Sequence, residues 1–333
     1  MDRIERSHGS GGTSTSQLIE GIFQKQFSNT YLDGLTDSAV LPGAERLAYT
    51  TDSYVVRPVF FPGGDIGRLA VCGTVNDLLT SGARPAYITA AYILEEGLDL
   101  GDLERVAASM AAAAEEAGVK IVTGDTKVIE SADPEHPGLL INTSGVGFVP
   151  GGSEISPLKI CGRDAVILSG NLGDHHAAIL SRRMNIQNDI RSDAAPLCEM
   201  VRKLMESGLH IHAMRDVTRG GLATVLCELS RASGVPIYIE ETALTISQDV
   251  AAFSRMLGLD PLYMGNEGKM LVILPEEEAD KALGIVRDSR YGENAAIIGE
   301  TGDQGDAVVC LRTAIGGLRE LTPLSGEGLP RIC

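Results

Sequence analysis

Four aspartates stand at the ends of apolar stretches or among glycines. They are Asp52 in Thr50-Thr-Asp-Ser, Asp77 in Val75-Asn-Asp-Leu, Asp125 in Thr123-Gly-Asp-Thr-Lys, and Asp216 in Arg215-Asp-Val-Thr-Arg-Gly-Gly. Each alone reads as a helix cap or a turn. Together they read as ligands for Mg2+, which takes carboxylate oxygens along with nucleotide phosphates. Asp77 carries most of this reading. The Asn76-Asp77 pair interrupts an otherwise apolar helix, where an unpaired carboxylate is costly to bury.

Three glycine-rich segments offer backbone N–H groups to phosphate. One is His8-Gly-Ser-Gly11-Gly12, the second Thr123-Gly124-Asp125-Thr126-Lys127, the third Thr218-Arg219-Gly220-Gly221. The third precedes a helix, whose N-terminus favours anions. None is a P-loop, since no G-x-x-x-x-G-K-[ST] run occurs. Lys127 suits the charge of a β/γ-phosphate, or else a surface ion pair with Asp125. Glu267, between glycines in Gly265-Asn-Glu-Gly-Lys, precedes a strand and suits either a site carboxylate or a hairpin turn. His175 and His176 are adjacent, so they point to different faces and make a poor zinc site. His210 and His212 alternate, and a structural role is preferred for them.

The C-terminus is the sharpest feature. It runs Leu-Pro-Arg-Ile-Cys after a stretch holding Pro323, Gly326, Gly328 and Pro330, so it is expected to be extended and mobile. Thirteen residues from Leu321 span at most about 40 Å. Cys333 can therefore enter an active site and leave it, or it is an incidental terminal thiol. The other cysteines, Cys72, Cys161, Cys198, Cys227 and Cys310, lie in or beside apolar stretches, as small buried hydrophobes do. No C-x-x-C pair argues for zinc or a redox motif.

The elements that must position these groups fit a chain of 333 residues, long enough for two domains. A net charge of −17 disfavours nucleic acid and anionic membranes as partners. No signal-like N-terminus or membrane-length apolar run is seen, so a cytoplasmic enzyme is expected. Strands are predicted over 47–51, 86–94, 119–123 and 139–148, and helices over 66–79 and 103–117, the latter capped by Asp102 and ended by Gly118. After the turn cluster at Pro150-Gly-Gly-Ser, strands over 164–169, 236–239, 270–274, 295–299 and 308–311 mix with helices over 197–206, 222–232, 249–257 and 276–288. Several strands follow one another directly, so the class is α+β. The expected division is 1–152, 153–320, and a tail, 321–333.

These motifs resemble the HypE family of hydrogenase maturation factors over essentially the whole chain. Beyond those above, the matching segments are Phe61-Pro-Gly-Gly, Ile93-Leu-Glu-Glu-Gly, Ile141-Asn-Thr, Ser169-Gly with Leu172-Gly-Asp-His, Asn266-Glu-Gly-Lys and Ala296-Ile-Ile-Gly. The Asp-rich elements alone resemble the wider superfamily of aminoimidazole ribotide synthetase and selenophosphate synthetase. The closing Pro330-Arg-Ile-Cys narrows the match.

The resemblance implies a two-domain aminoimidazole ribotide synthetase-like (PurM-like) fold, an ATP–Mg2+ site between the domains, and a homodimer through the N-terminal domains. It implies ATP-dependent dehydration of an S-carbamoyl group on Cys333 to a thiocyanate. HypF would supply the carbamoyl group, and the HypC–HypD complex would accept cyanide for [NiFe] hydrogenase. Asp52, Asp77 and Asp216 would hold Mg2+, with Asp125 a fourth contributor. Lys127 would steady the phosphoryl group and Glu267 would act as base. Gly11, Gly12, Thr51, Asp52, Asn76, Gly124, Asp125, Thr126, Lys127, Thr218, Arg219, Gly220 and Gly221 would contact the nucleotide. Two other readings stay open. A selenophosphate synthetase needs a reactive cysteine near its N-terminus, whereas the first here is Cys72. A nucleotide-binding assembly scaffold would need no reactive tail.

Overall fold

Asp65 starts the first long helix by accepting the backbone N–H groups of Gly67 and Arg68 on its carboxylate. That helix, α3 (Ile66–Leu79), is apolar nearly all round because it is buried on nearly all sides. The computed structural model describes residues 3–10, 12–33, 38–303 and 305–325. Gly11, Cys333 and the rest of segment 326–333 lie outside the described residues.

The N-terminal domain opens with α1 (Gly12–Leu18), a π-helical turn over 19–24, and α2 (Lys25–Phe27), none of which the sequence pattern predicted. β1 (Leu47–Tyr54), a small hairpin of β2 (Phe60–Phe61) and β3 (Gly64–Asp65), α3, β4 (Arg84–Glu95), α4 (Leu100–Ala117), β5 (Lys120–Ile129) and β6 (Leu139–Phe148) follow. The main sheet runs β1-β6-β4-β5, antiparallel except for β4–β5. α3 and α4 cover one of its faces. The other face is open, with Leu47 54% and Tyr49 69% exposed. Asp99, rather than Asp102, caps α4, because its side chain accepts from Gly101 N–H; Gly118 ends the helix in the left-handed region (φ 71°).

The C-terminal domain holds β7 (Asp164–Leu168), α5 (Asp174–Arg183), α6 (Cys198–Glu206), β8 (Ala213–Asp216), α7 (Gly221–Ser233), β9 (Ile237–Glu240), α8 (Gln248–Leu257), β10 (Met270–Pro275), α9 (Ala279–Arg287), β11 (Ala296–Thr301), β12 (Val309–Arg312) and β13 (Leu318–Leu321). Its sheet order is β13-β12-β9-β11-β7-β10-β8, with only β9–β12 parallel. Alternation fixes the layers. Val166, Leu168, Leu271 and Ile273 pack with α7 residues such as Leu226, while Ile167, Val272 and Leu274 pack with Leu204 of α6 and Val286 of α9. This is the α+β class expected.

Close crossing of α3 over α4 depends on Gly67, where an added Cβ would lie 2.3 Å from Val106 O. Gly67→Ala is expected to destabilise by about 1–3 kcal/mol, read as a lowered urea midpoint. An unchanged midpoint would mean that the crossing relaxes freely.

Candidate functional site: an acidic cleft between the domains

Period-two alternation along β1 turns Thr50, Asp52 and Tyr54 toward α3 and leaves Thr51 and Ser53 on the open face. On α3, Gly73, Thr74 and Asp77 meet them from neighbouring turns. Thr50 Oγ1 donates to Asp77 Oδ2 at 2.8 Å, and the Tyr54 hydroxyl donates to Asp52 Oδ2 at 3.2 Å. Gly73 makes room for Tyr54, whose hydroxyl stands 2.2 Å from where a Cβ would be.

The C-terminal domain supplies two more carboxylates. Asp216 ends β8 and pairs with Met270 at the start of β10. The loop Asn266–Lys269 runs alongside: Val217 N–H donates to Lys269 O at 3.0 Å and Asn266 N–H to Val217 O at 3.2 Å. Asn266 is fully buried, with Oδ1 accepting from Gly173 N–H (2.7 Å) and Nδ2 donating to Val217 O and Met264 O. This holds Glu267 toward Asp52, Asp216 and Arg219.

Crowding shows in the proton affinities. Burial, then Asp216 and Asp52, push Asp77 up to about 7. Burial raises Asp216 as well. Glu267 is pushed well above the usual carboxylate range by burial and by Asp193, Asp216 and Asp52, with Arg219 pulling the other way. Tyr54 is raised by burial, then by Asp52, Glu267 and Asp77. The donors are all oxygen, and they repel one another without a cation. That is the donor chemistry of a hard divalent ion.

Thr218, Arg219 and Gly220 follow Asp216, and Gly220 (φ 79°) and Gly221 (φ 64°) open α7 without a side-chain cap. An added Cβ at Gly221 would meet Leu262 O at 2.4 Å. The helix start therefore keeps its first backbone N–H groups without a side-chain cap.

Within one chain, four of the expected site residues stand apart from the cleft carboxylates or are engaged elsewhere. Asn76 is committed to the backbone rather than to a nucleotide: Nδ2 donates to Ala195 O (3.0 Å) and Glu267 O (3.4 Å), and Oδ1 accepts from Leu197 N–H (2.9 Å). Asp125 does not join the other aspartates within one chain. β1 and β5 are opposite edges of the sheet, and the row Ser53–Asn142–Ala91–Asp125 lies on the open face, whereas Asp52 pairs with Thr143 on the covered one. Lys127 goes with it, in an exposed ion pair with Asp125 at 2.8 Å. Thr51 also points to the open face, donating to Thr143 O at 3.0 Å.

Gly124, Asp125 and Thr126 line a different cavity of about 560 Å³, with Phe23, Phe27 and Tyr92. A second, of about 530 Å³, lies behind the Asn266–Lys269 loop and holds Arg68, Asp174, Asp193 and Lys269. Thr50 and Tyr54 escaped the sequence reading, although alternation from Asp52 would have found them. Asp193 and Lys269, ion-paired at 2.9 Å and buried, left no sequence signal. Two of the histidines have structural bonds: His175 bonds Ser192 Oγ at 2.8 Å and meets Phe61 edge-on, and His210 bonds Glu278 at 2.7 Å.

A carboxyl raised from about 3.8 to about 7 binds its proton more tightly folded than unfolded. Its contribution is full below the unfolded value and is lost as pH rises through about 7. Without divalent cations, the chain is therefore expected to melt earlier at pH 8 than at pH 6. Asp77→Asn, which keeps an acceptor for Thr50, is expected to raise the pH 8 melting temperature by about 2–4 °C. Thermal melts in chelator check both; a wild type stable to pH 8 would remove the repulsion.

Comparison with known proteins agrees with this architecture. The chain matches the N-terminal domain model of AIR synthase related proteins over residues 35–149 and the C-terminal model over 164–311. It is 46% identical to carbamoyl dehydratase HypE of Cupriavidus necator, over 99% of this chain and 95% of that one. It is 40% identical to the Escherichia coli protein of that name, over 100% of both. A crystal structure of hydrogenase maturation protein HypE in complex with ATP superposes with a TM-score of 0.94 at 46% identity, covering 98% of this chain and 99% of that one. A chain from a HypE–HypF complex gives 0.80 at 45% identity, with 92% and 99% covered. With both domains matched and relatives aligned end to end, the chain belongs to the HypE family of carbamoyl dehydratases.

Proposed function

We propose that the chain dehydrates an S-carbamoyl group on its own Cys333 to a thiocyanate, using ATP and Mg2+, and so supplies cyanide for [NiFe] hydrogenase iron. The observation that carries this is Glu267, a carboxyl raised by burial and by Asp193, Asp216 and Asp52, while the last described residues of the chain bond to Tyr263 and to α7. Tyr263 Oη donates to Thr322 O at 3.0 Å, and Leu324 N–H donates to Thr224 Oγ1 at 3.1 Å, in the first turn of α7. The eight residues from 326 to 333 span up to about 26–29 Å, enough to bring Cys333 to the cleft of its own chain.

A carbamoyl oxygen leaves poorly. ATP and Mg2+, when bound, supply the phosphoryl group that turns it into phosphate. Asp52, Asp77 and Asp216 would hold the cation, and the raised proton affinities of Asp77 and Asp216 mean it competes with protons there. Thr218 through Gly221 would take phosphate at the start of α7. Glu267, ionised once a cation relieves the repulsion, would take a proton from the carbamoyl nitrogen as C≡N forms and the C–O bond breaks. The second nitrogen proton leaves to solvent. The products are the thiocyanate, ADP and phosphate. The aromatic-lined cavity at Gly124–Thr126 suits an adenine ring.

Asp125 and Lys127 make sense in a homodimer. Two copies stacked on their open sheet faces, with the two-fold axis along the strands, would lay β5 of one over β1 of the other. Lys127 of one copy would then reach the edge that carries Asp52 in its partner, close to the phosphoryl group. HypF as carbamoyl donor and HypC–HypD as cyanide acceptor complete the assignment. Among the described residues, no helix is long and apolar enough to cross a membrane.

Incubation with HypF, carbamoyl phosphate and ATP should give a carbamoyl adduct on the C-terminal peptide that loses water, followed by mass spectrometry. Glu267→Gln is expected to accept the carbamoyl group but to dehydrate it at least about 100-fold more slowly. Cys333 left unmodified by active HypF would overturn the function. Normal dehydration by Glu267→Gln would overturn only the base. Lys127→Ala and Glu267→Gln proteins, each inactive alone, are expected to recover activity when mixed and allowed to exchange subunits; no recovery would place Lys127 in its own chain's site or outside it.

A further inference from the structure

The geometry points to a second cation site of different chemistry, formed by Cys161, Asp164 and His212 and suited to zinc. It lies at the far end of the strands that carry the acidic cleft. Asp164 begins β7 and His212 immediately precedes β8, while Asp216 ends β8 at the cleft. Cys161 reaches back from the turn before β7, where Arg163 adopts a left-handed φ of 67°.

The three side chains already stand as a ligand triangle. Cys161 Sγ is 3.6 Å from Asp164 Oδ1 and 4.0 Å from His212 Nδ1, and His212 Nδ1 is 2.8 Å from Asp164 Oδ2. Zinc bonds of ~2.3 Å to sulfur and ~2.0–2.1 Å to nitrogen and oxygen, at tetrahedral angles, need ligand separations of about 3.3–3.6 Å. The edges differ from that range by at most about half an ångström, and since Asp164 turns Oδ1 to the thiol and Oδ2 to the imidazole, an entering ion would replace the 2.8 Å hydrogen bond between His212 and Asp164. Among the described residues, this is the group of three histidine, cysteine or acidic side chains whose ligand atoms converge within 4.8 Å; the cleft aspartates do not.

The frame behind the triangle is rigid. Asp164 is 1% exposed, its backbone N–H donates to Thr301 Oγ1 at 2.8 Å, and Thr301 Oγ1 donates to Cys161 O at 2.5 Å. Cys161 N–H donates to Asp164 Oδ2 at 2.9 Å. Cys161 itself is exposed, so an ion can enter and a water can fill the fourth position. A thiolate, a carboxylate and a neutral imidazole carry two negative charges, which a divalent ion cancels. A nucleophilic role fits less well. At 4.0 Å the imidazole meets the thiol only weakly, its Nδ1 being held by Asp164 Oδ2 at 2.8 Å, and burial and Asp164 hold the thiol above its ordinary range.

Cobalt(II) titration of the full chain carrying Cys333→Ser, so that the terminal thiol is silent, tests the site. One equivalent is expected to give a thiolate-to-cobalt charge-transfer band that zinc abolishes. Cys161→Ser and His212→Ala should each lose that band while keeping the wild-type circular dichroism. No band, or a band surviving Cys161→Ser, overturns the proposal. Should either variant misfold, zinc is expected to slow alkylation of Cys161 at least tenfold in the Cys333→Ser chain, measured on the tryptic peptide. An unchanged rate also overturns it.

Discussion

Asn76 spends its side-chain amide on the backbone of the other domain. It holds Ala195 O, Glu267 O and Leu197 N–H from one position on α3, one residue before Asp77. The helix that presents a cleft carboxylate is thereby tied to the loop that presents Glu267. A polar residue at 2% exposure would be costly unless it found such partners. The second tie is Arg68, one face of which donates to Ala194 O (2.8 Å) and the other to Glu116 (2.9 Å), with Tyr291 and Arg290 joining Glu116 from the C-terminal domain. These bonds fix two domains at a spacing that their apolar cores alone would not specify.

That fixed spacing lets one loop run two carboxylates at opposite extremes. Asp193 accepts Glu267 N–H at 3.0 Å and is ion-paired with Lys269 at 2.9 Å, and Lys269 and His175 hold it below its usual range despite its burial. Glu267, with no lysine of its own, is pushed the other way by the same Asp193. Two neighbouring carboxyls with affinities driven apart are what acid–base chemistry requires. Removing Lys269 would therefore disturb both, because the freed Asp193 would have to take a proton or repel Glu267 harder.

How far this was legible in the sequence follows from which interactions are local. α3 was read end to end because its apolar run and the turn beyond it lie within a single stretch of chain, and the alternation of β1 contained Thr50 and Tyr54 as well as Asp52. The fold class was legible for the same reason. That Asp125 stands apart from Asp52 within one chain was not legible, because its strand is a far edge and the β4–β5 register shifts between Ile88 and Thr89, which resets the faces before Gly124. Asn76 was assigned to nucleotide because a buried amide beside a cleft aspartate looks the same in sequence whether its partner is a ligand or a backbone 119 residues away. Cys161 looked like a small buried hydrophobe, but the turn at Gly162-Arg163 carries it to the surface beside a histidine about 50 residues distant. The N-terminal helices and α5 lack the apolar spacing that marks α4, so nothing in their composition announced them.

Hardness of the donors separates the two ends of the C-terminal sheet. At the Asp216 end the groups are carboxylates and hydroxyls, which favour an ion that keeps its water and shares phosphate oxygens. At the Asp164 end, sulfur and imidazole nitrogen favour a borderline ion and bind magnesium poorly. The Asp164 end would thus discriminate against magnesium by donor type, whereas zinc also binds carboxylate oxygens, so the Asp216 end is not closed to it by chemistry alone. The strands between them, buried in two layers from Ile167 to Val272, are stiff enough that neither site must deform to keep its shape. The connection is mechanical only in the sense that both rest on the same rigid sheet, which leaves the cleft free to respond to protons, nucleotide and the chain's own terminus.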